Sequence, residues 1–160
     1  FIIAVAHTIS LKHLEEKVQK LTSLKFKFVQ GATKEALEIS DFAIVKSGTS
    51  TLQAVLSEVP MVVLYKGSGL TAWIIRHLIK YRGFFGMVNI LAGKEIVPEL
   101  LQEEVTPTNI ADRVITILNN NFMYRKMVNE LKKVKEELGK PGASQRAAGV
   151  LLEMLKETHQ

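Results

Sequence analysis

A turn centred on Gly48 joins two short apolar runs, and this arrangement restricts the fold more than any other feature of the chain. Phe42–Val45 and Met61–Leu64 each have the length of a buried strand, and Thr49–Glu58 between them carries apolar residues at helical spacing. Consecutive strand, helix and strand segments of these lengths form a right-handed crossover between parallel strands. The segment therefore predicts an α/β fold.

The same alternation begins at the start of the chain. Phe1–Ala6 and Phe26–Val29 are strand-like, and residues 11–21 and Lys34–Ile39 follow them with helical character. We predict a Rossmann-like parallel sheet flanked by helices, with a helix-rich C-terminus. Beyond Leu64 the predicted elements are a helix at Leu70–Lys80, a short strand near Phe85–Val88, one helical turn at Glu99–Gln102, and helices beginning at Thr106, near Met123 and at Ser144.

Composition excludes several classes of protein. The 160 residues suffice for one domain with a sizeable core, and 47% hydrophobic with 23% charged residues is not the composition of a disordered chain. There is no cysteine, which excludes disulfides and thiolate metal sites. The four histidines are scattered without the spacing of a metal site, so we predict no metal. No apolar run is long enough for a transmembrane helix.

The net charge of +5 favours an anionic partner such as a nucleotide or a phospholipid headgroup. Nucleic acid is not expected, because the basic residues of Lys126–Lys140 alternate with glutamates and have no aromatic residues among them for base stacking.

The residues from Ser47 to Ser50, here called the Ser47–Ser50 turn, are the first candidate site. In parallel α/β sheets, ligands bind beyond the carboxyl ends of the strands, where the N-termini of helices offer free N–H groups to phosphate. Gly48 allows a sharp turn, and the hydroxyls of Ser47, Thr49 and Ser50 can donate to phosphate. The alternative is that these hydroxyls only cap the helix.

A second unusual stretch follows at 89–102 and reads NILAGKEIVPELLQ. Together with SGTSTL, PMVVLYK, LTAWIIRHLIK and GASQRAAGVLLEML, it resembles the lipid-A-disaccharide synthase family, glycosyltransferases with two Rossmann-like domains (the GT-B fold). The resemblance runs from about Asp41 to the C-terminus. It implies that residues 1–160 are the C-terminal nucleotide-sugar-binding domain, lacking its first strand and a Gly/Ser/Arg loop, and that the N-terminal acceptor domain is absent.

The resemblance also implies a reaction of lipid A biosynthesis. UDP-2,3-diacylglucosamine and 2,3-diacylglucosamine 1-phosphate would give lipid A disaccharide 1-phosphate and UDP, without a cofactor. In the family the general base belongs to the N-terminal half, so no catalytic residue is expected in this chain, which alone would bind UDP without turnover. The implied location is cytoplasmic, peripheral on the inner face of the inner membrane, and a homodimer is left open.

Within the resemblance, Gln53 occupies the position of a glutamate that contacts the nucleotide ribose, and an amide can still bond a ribose hydroxyl. Asn89 would meet the donor sugar or phosphate from the other side of the cleft, unless it is only a turn residue. Gly93 would permit a positive φ or a close backbone approach, and Lys94 would contact the diphosphate. Glu95 and Glu99 would accept sugar hydroxyls, unless each is only a carboxylate at a helix start. The predicted donor-binding residues are Ser47, Gly48, Thr49, Ser50, Gln53, Asn89, Gly93, Lys94 and Glu95.

The segment Leu70–Phe85 has more apolar residues than one helix face buries, interleaved with basic ones. A basic amphipathic helix with a tryptophan can lie in a membrane interface, although packing on the sheet or on a second subunit is the alternative. The candidate membrane-interface residues are Trp73, Arg76, Lys80, Tyr81 and Arg82.

Two other classes of function stay open. Another UDP-sugar glycosyltransferase or an epimerase would use a similar turn, and activity with an unacylated UDP-sugar would favour it. A non-catalytic Rossmann-like binding module would have the fold without the reaction, and failure to bind any uridine nucleotide would point to it.

Overall fold

The computed structural model describes residues 1–21, 24–67, 83–139 and 142–157. The strands are β1 (Ile2–Val5), β2 (Lys27–Gln30), β3 (Ala43–Lys46), β4 (Met61–Tyr65) and β5 (Glu99–Leu101). The helices are α1 (Leu11–Leu21), α2 (Thr33–Glu38), α3 (Thr49–Leu56), α4 (Met87–Ala92), α5 (Pro107–Asn119), α6 (Asn121–Glu137) and α7 (Ala143–Glu157), with a 3-10 turn at Gln102–Glu104. This alternation confirms the predicted α/β class.

The strands are parallel and form two groups. β1 pairs with β2, and β3, β4 and β5 pair in that order. Within the described residues no hydrogen-bonded ladder joins β1 to β3, although α2 contacts β1, β2 and α3. The predicted parallel sheet is thus present as two pieces, and β1 and β3 each have one edge that pairs with no described strand.

The core lies around β4. Met61, Val62 and Val63 are fully buried, as parallel strands covered on both faces require. Helices α3, α4 and α6 contact one another beside this sheet, and α5 contacts β4. The helices and the loop before β5 supply further buried residues, namely Ala54, Val55, Val88, Val97, Ile117, Leu131 and Val134.

Two predicted elements were wrong in type. Met87–Ala92 is helical where a strand was predicted near Phe85–Val88, because an apolar run of this length does not distinguish the two structures. Glu99–Leu101 is a strand where a helical turn was predicted, because it pairs with Val63–Tyr65 of β4. Because β4 is remote in sequence, a local sequence pattern could not predict this pairing.

The remaining predictions concern the start of α5, a helix at Leu70–Lys80 and membrane-spanning helices. The start of α5 is confirmed: Thr106 Oγ1 accepts a hydrogen bond from the Asn109 N–H at 3.2 Å, and Pro107 occupies the first turn. The helix predicted at Leu70–Lys80 lies outside the described residues. No helix among the described residues is long and apolar enough to cross a membrane.

Candidate functional site

The Ser47–Ser50 turn lies at the carboxyl end of β3, as predicted. The Ser47 N–H donates to the carbonyl of Leu64 at 2.7 Å and so extends the pairing of β3 with β4 by one residue. The chain then reverses at Gly48, which has φ 145° and ψ −159° and precedes the first residue of α3. The N-terminus of α3 therefore opens at the edge of the sheet where doubly wound proteins bind their ligands.

Three hydroxyls of this region hold the protein backbone. Ser50 Oγ donates to the carbonyl of Lys46 at 2.9 Å, and Thr51 Oγ1 donates to the carbonyl of Gly48 at 2.7 Å. Ser47 Oγ donates to the carbonyl of Phe85 at 2.8 Å. These bonds stabilise the turn, but none is the side-chain cap bond that the capping alternative predicted for α3.

Thr49 and Gln53 remain available to a ligand. They lie one helical turn apart on α3, and both are exposed. The Thr49 hydroxyl makes no side-chain hydrogen bond within the described part of the chain. This geometry agrees with the prediction that the two side chains point to the same side.

Asn89 is fully buried, and its amide is saturated by the protein. Its Nδ2 donates to the Val97 carbonyl at 2.8 Å and to Glu99 Oε1 at 2.7 Å, while its Oδ1 accepts from the N–H groups of Ile96 and Val97. An asparagine amide has two protons and two acceptor positions, and all four are used here. Asn89 thus binds nearby backbone groups, as the alternative of a turn residue predicted.

Glu99, which the sequence offered as an acceptor of sugar hydroxyls or a helix-start carboxylate, lies at the centre of the same network. Its carboxylate accepts the N–H of Phe85 at 2.7 Å and the N–H of Gly86 at 3.0 Å, in addition to Asn89. Through Phe85 the network reaches Ser47, so the two stretches singled out in the sequence meet in the structure.

Gly93, Lys94 and Glu95 lie on a different part of the surface. Gly93 ends α4 with φ 62°, the positive value that was predicted. Lys94 Nζ is 2.5 Å from Glu130 Oε2, and hydrogen bonds from Lys133 and Lys94 lower the pKa of Glu130 to about 2. Lys94 and Glu95 line a groove of 380 Å³ against α5 and α6. No hydrogen bond or ion pair among the described residues joins them to the Ser47–Ser50 turn.

Two lysines at the strand ends were missed by the sequence analysis. Lys46 ends β3 and Lys66 directly follows β4, and both are exposed. Neither makes an ion pair with a described residue. Because adjacent parallel strands end at the same edge of a sheet, both belong to the edge that carries the Ser47–Ser50 turn. Their position after buried runs could have identified them.

The candidate membrane-interface residues Trp73, Arg76, Lys80, Tyr81 and Arg82 lie outside the described residues. They remain predictions from sequence.

Parallel strands with alternating helices and a glycine turn at a strand's carboxyl end define a doubly wound α/β protein. Comparison with known proteins identifies the family within that class. The sequence model described as lipid-A-disaccharide synthetase matches residues 1–153. The chain belongs to this family.

Individual relatives agree with this assignment. The chain is 35% identical over 158 residues to a lipid-A-disaccharide synthase of Syntrophus aciditrophicus, covering 99% of this chain and 41% of the relative. It is 40% identical over 156 residues to that of Anaeromyxobacter dehalogenans (strain 2CP-C), covering 98% and 40%. It is 32% identical over 151 residues to that of Coxiella burnetii, covering 94% and 39%. The chain thus spans about two fifths of the length of these relatives.

Proposed function

We propose that this chain is the donor-binding part of a hexosyltransferase of lipid A biosynthesis. The intact protein would transfer 2,3-diacylglucosamine from UDP to 2,3-diacylglucosamine 1-phosphate, forming a β-1,6 disaccharide and releasing UDP. Family membership over nearly the whole chain supports this reaction. The observation that carries the donor-site assignment is the Ser47–Ser50 turn, which opens α3 at the carboxyl end of β3.

The chemical task of this site is to stabilise the charge that develops on departing UDP. Backbone N–H groups at the start of a helix suit a diphosphate, and they act without a metal. Lys46 and Lys66 at the neighbouring strand ends add positive charge on the same edge. Such fixed dipoles and charges lower the barrier when they face the leaving group. Lys94 remains a predicted ligand, but it would have to leave Glu130 to bind.

The sheet topology supports the proposal that the domain contains a further strand. In the Rossmann order 3-2-1-4-5-6, strand 1 lies between strands 2 and 4. The observed pairs β2-β1 and β3-β4-β5 match this order with strand 1 missing between the edges of β1 and β3 that pair with no described strand. In this arrangement the loop after the added strand would form the facing wall of the donor site.

Location and assembly belong to the same proposal. Acylated substrates require the intact protein to reach a membrane, and we assign it to the cytoplasmic side of the inner membrane as a peripheral protein. Trp73 and its basic neighbours are the proposed contacts. Sedimentation with anionic vesicles tests the membrane contact, and analytical ultracentrifugation of the chain tests the homodimer.

Calorimetric titration with UDP and with ADP tests the donor site. We expect UDP to bind more tightly than ADP, and Thr49→Ala and Lys66→Gln each to weaken UDP several-fold, as loss of one hydrogen bond or one charge does. Thr108→Ala on α5 and Lys12→Gln on α1 are matched controls at exposed positions and should leave UDP binding unchanged.

The titration also separates the alternatives. Lys94→Gln should weaken UDP less than Lys66→Gln, because Lys94 is paired with Glu130. Failure to bind any uridine nucleotide would contradict the donor-site proposal for this chain and favour a non-catalytic binding module. We expect no turnover by the chain alone, since the general base is expected in the part of the relatives that the chain does not span.

A further inference from the structure

The peptide group between Phe85 and Gly86 is held from both sides. Its carbonyl oxygen accepts the hydroxyl proton of Ser47 at 2.8 Å. Its N–H, which belongs to Gly86, donates to Glu99 Oε1 at 3.0 Å. A trans peptide is planar and its C=O and N–H point in opposite directions. The carboxylate of Glu99 therefore fixes the plane that carries the acceptor for Ser47.

The orientation of Glu99 is itself fixed by further hydrogen bonds. Its Oε2 accepts the Phe85 N–H at 2.7 Å, and its Oε1 also accepts Asn89 Nδ2 at 2.7 Å. Asn89 is fully buried and holds the backbone of Val97 with its remaining groups. Hydrogen bonds to an ionised carboxylate are stronger than those between neutral groups. The carboxylate that binds the Phe85–Gly86 peptide is thus itself bound to a core residue.

The close approach of the carboxylate to the peptide leaves little space for a side chain at Gly86. A Cβ atom on Gly86 would lie 3.0 Å from Glu99 Oε1 and 3.4 Å from each methyl carbon of Val63. Val63 belongs to the fully buried part of β4, so a side chain at this position would have to displace Glu99 or a closely packed core residue. The sequence therefore provides both the carboxylate and the space in which it meets the backbone.

We propose that Glu99 is a positioning residue for the Ser47–Ser50 turn, acting through the Phe85–Gly86 peptide. This inference rests on the proposed function, which makes that turn the donor site. It also defines how Ser47 can bind a ligand. The hydroxyl proton of Ser47 is donated to the Phe85 carbonyl, so the hydroxyl oxygen can only accept a hydrogen bond, for example from a ligand hydroxyl. Phosphate oxygens, which only accept, are left to the N–H groups of the turn and to Thr49.

A double-mutant cycle between Glu99→Gln and Ser47→Ala in the 160-residue chain tests this coupling. We expect Glu99→Gln to weaken UDP binding about tenfold, since an amide nitrogen replaces an acceptor of backbone N–H groups. It should also accelerate amide exchange at Gly86, Gly48 and Thr49. In the Ser47→Ala background the same change should weaken UDP less than about twofold, because its route to the turn is already lost.

Glu136→Gln on the exposed surface of α6 is the matched control and should leave both UDP affinity and these exchange rates unchanged. The inference is overturned if Glu99→Gln costs the same affinity with and without the Ser47 hydroxyl, because the carboxylate then acts by another route.

Two further outcomes are decisive. If Glu99→Gln does not fold, the Ser47→Ala variant alone tests the inference. Its amide exchange rate at Gly86, on the opposite side of the shared peptide, must rise. An unchanged rate overturns the inference. If the unsubstituted chain binds no uridine nucleotide, the proposed function fails, whereas the exchange cycle between Glu99 and Ser47 still decides the positioning role.

Discussion

At the residue scale, Gly48 has a backbone conformation that other residues adopt only under strain. Its φ of 145° and ψ of −159° lie in a region that is essentially restricted to glycine. A Cβ atom at this position would meet nothing within 4 Å, so the restriction comes from the backbone and not from crowding. The glycine is needed for the direction in which α3 leaves β3.

We predict that Gly48→Ala lowers the free energy of unfolding by about 1–3 kcal/mol and weakens UDP binding, because the turn must relax. Chemical denaturation and calorimetry measure the two effects. Gly149→Ala is the matched control: its Cβ also enters open space, but within helix α7, where alanine is favoured by about 0.5–1 kcal/mol. Equal stability of Gly48→Ala and the unsubstituted chain would refute the strained turn.

Asn89 is the second residue at this scale, and its buried side chain binds backbone groups of the protein. We predict that Asn89→Ala lowers the free energy of unfolding by about 3 kcal/mol, because it leaves the buried backbone groups of Val97 and the half-buried N–H of Ile96 without partners. Asn129→Ala on the exposed side of α6 should change it by less than about 0.5 kcal/mol. A stable Asn89→Ala protein that has lost only UDP affinity would instead support direct contact with the donor.

At the scale of elements, α6 is tied to two loops by ion pairs. Lys94, before β5, pairs with Glu130, and Glu58, before β4, pairs with Lys135 at 2.6 Å. The hydrogen bond from Lys135, together with its charge, lowers the pKa of Glu58 below its ordinary value. Both carboxylates are therefore favoured in their ionised form when the protein is folded.

These pairs predict loss of stability in acid. The pKa of Glu130 falls from 4.5 to about 2 on folding, so between these values the unfolded chain binds the extra proton. The contribution is complete above about pH 4.5 and disappears as the pH falls towards 2. Lys94→Met should flatten the dependence of thermal unfolding on pH in this window. Lys34→Met, which breaks the exposed pair with Glu38, is the control and should not change this pH dependence. The same pH dependence in the unsubstituted chain and in both variants would contradict the prediction.

The same scale shows which elements sequence patterns can predict. β3, α3 and β4 are clear from sequence because two apolar runs flank a segment of helical period and the glycine marks the turn. β5 was mistaken for a helical turn because its stability comes from β4, far away in sequence. The hydrogen-bond partners of Asn89 and Glu99 could not be predicted for a related reason: a polar residue's partners depend on tertiary contacts that no local pattern encodes. In α7 the apolar residues Val150, Leu151, Met154 and Leu155 fall at helical spacing, which predicts a buried face, but all four are exposed, with Leu151 62% accessible.

At the scale of the whole molecule, the described strands form two parallel groups, and no described strand pairs with the second edge of β3. The Ala43 and Ser47 N–H groups bond to the carbonyls of Pro60 and Leu64. Backbone groups alternate between the two sides of a strand, so the N–H groups of Ile44 and Lys46 point to this second edge.

We therefore predict fast amide exchange at Ile44 and Lys46 and slow exchange at Val45, which faces β4, in a hydrogen exchange experiment followed by NMR. In a longer form of the protein that supplies the proposed further strand, Ile44 and Lys46 should become protected. Equal protection of all three amides in the chain alone would show that the edge is already occupied.

The central claim is that the Ser47–Ser50 turn binds the nucleotide of a UDP-sugar. The most direct measurement is NMR titration of the isotope-labelled chain with UDP, with ADP as the comparison. The account predicts that UDP shifts the amide signals of Gly48, Thr49 and Ser50 at lower concentration than ADP does. Shifts confined to the groove between α5 and α6, or no shift with any uridine nucleotide, would contradict it.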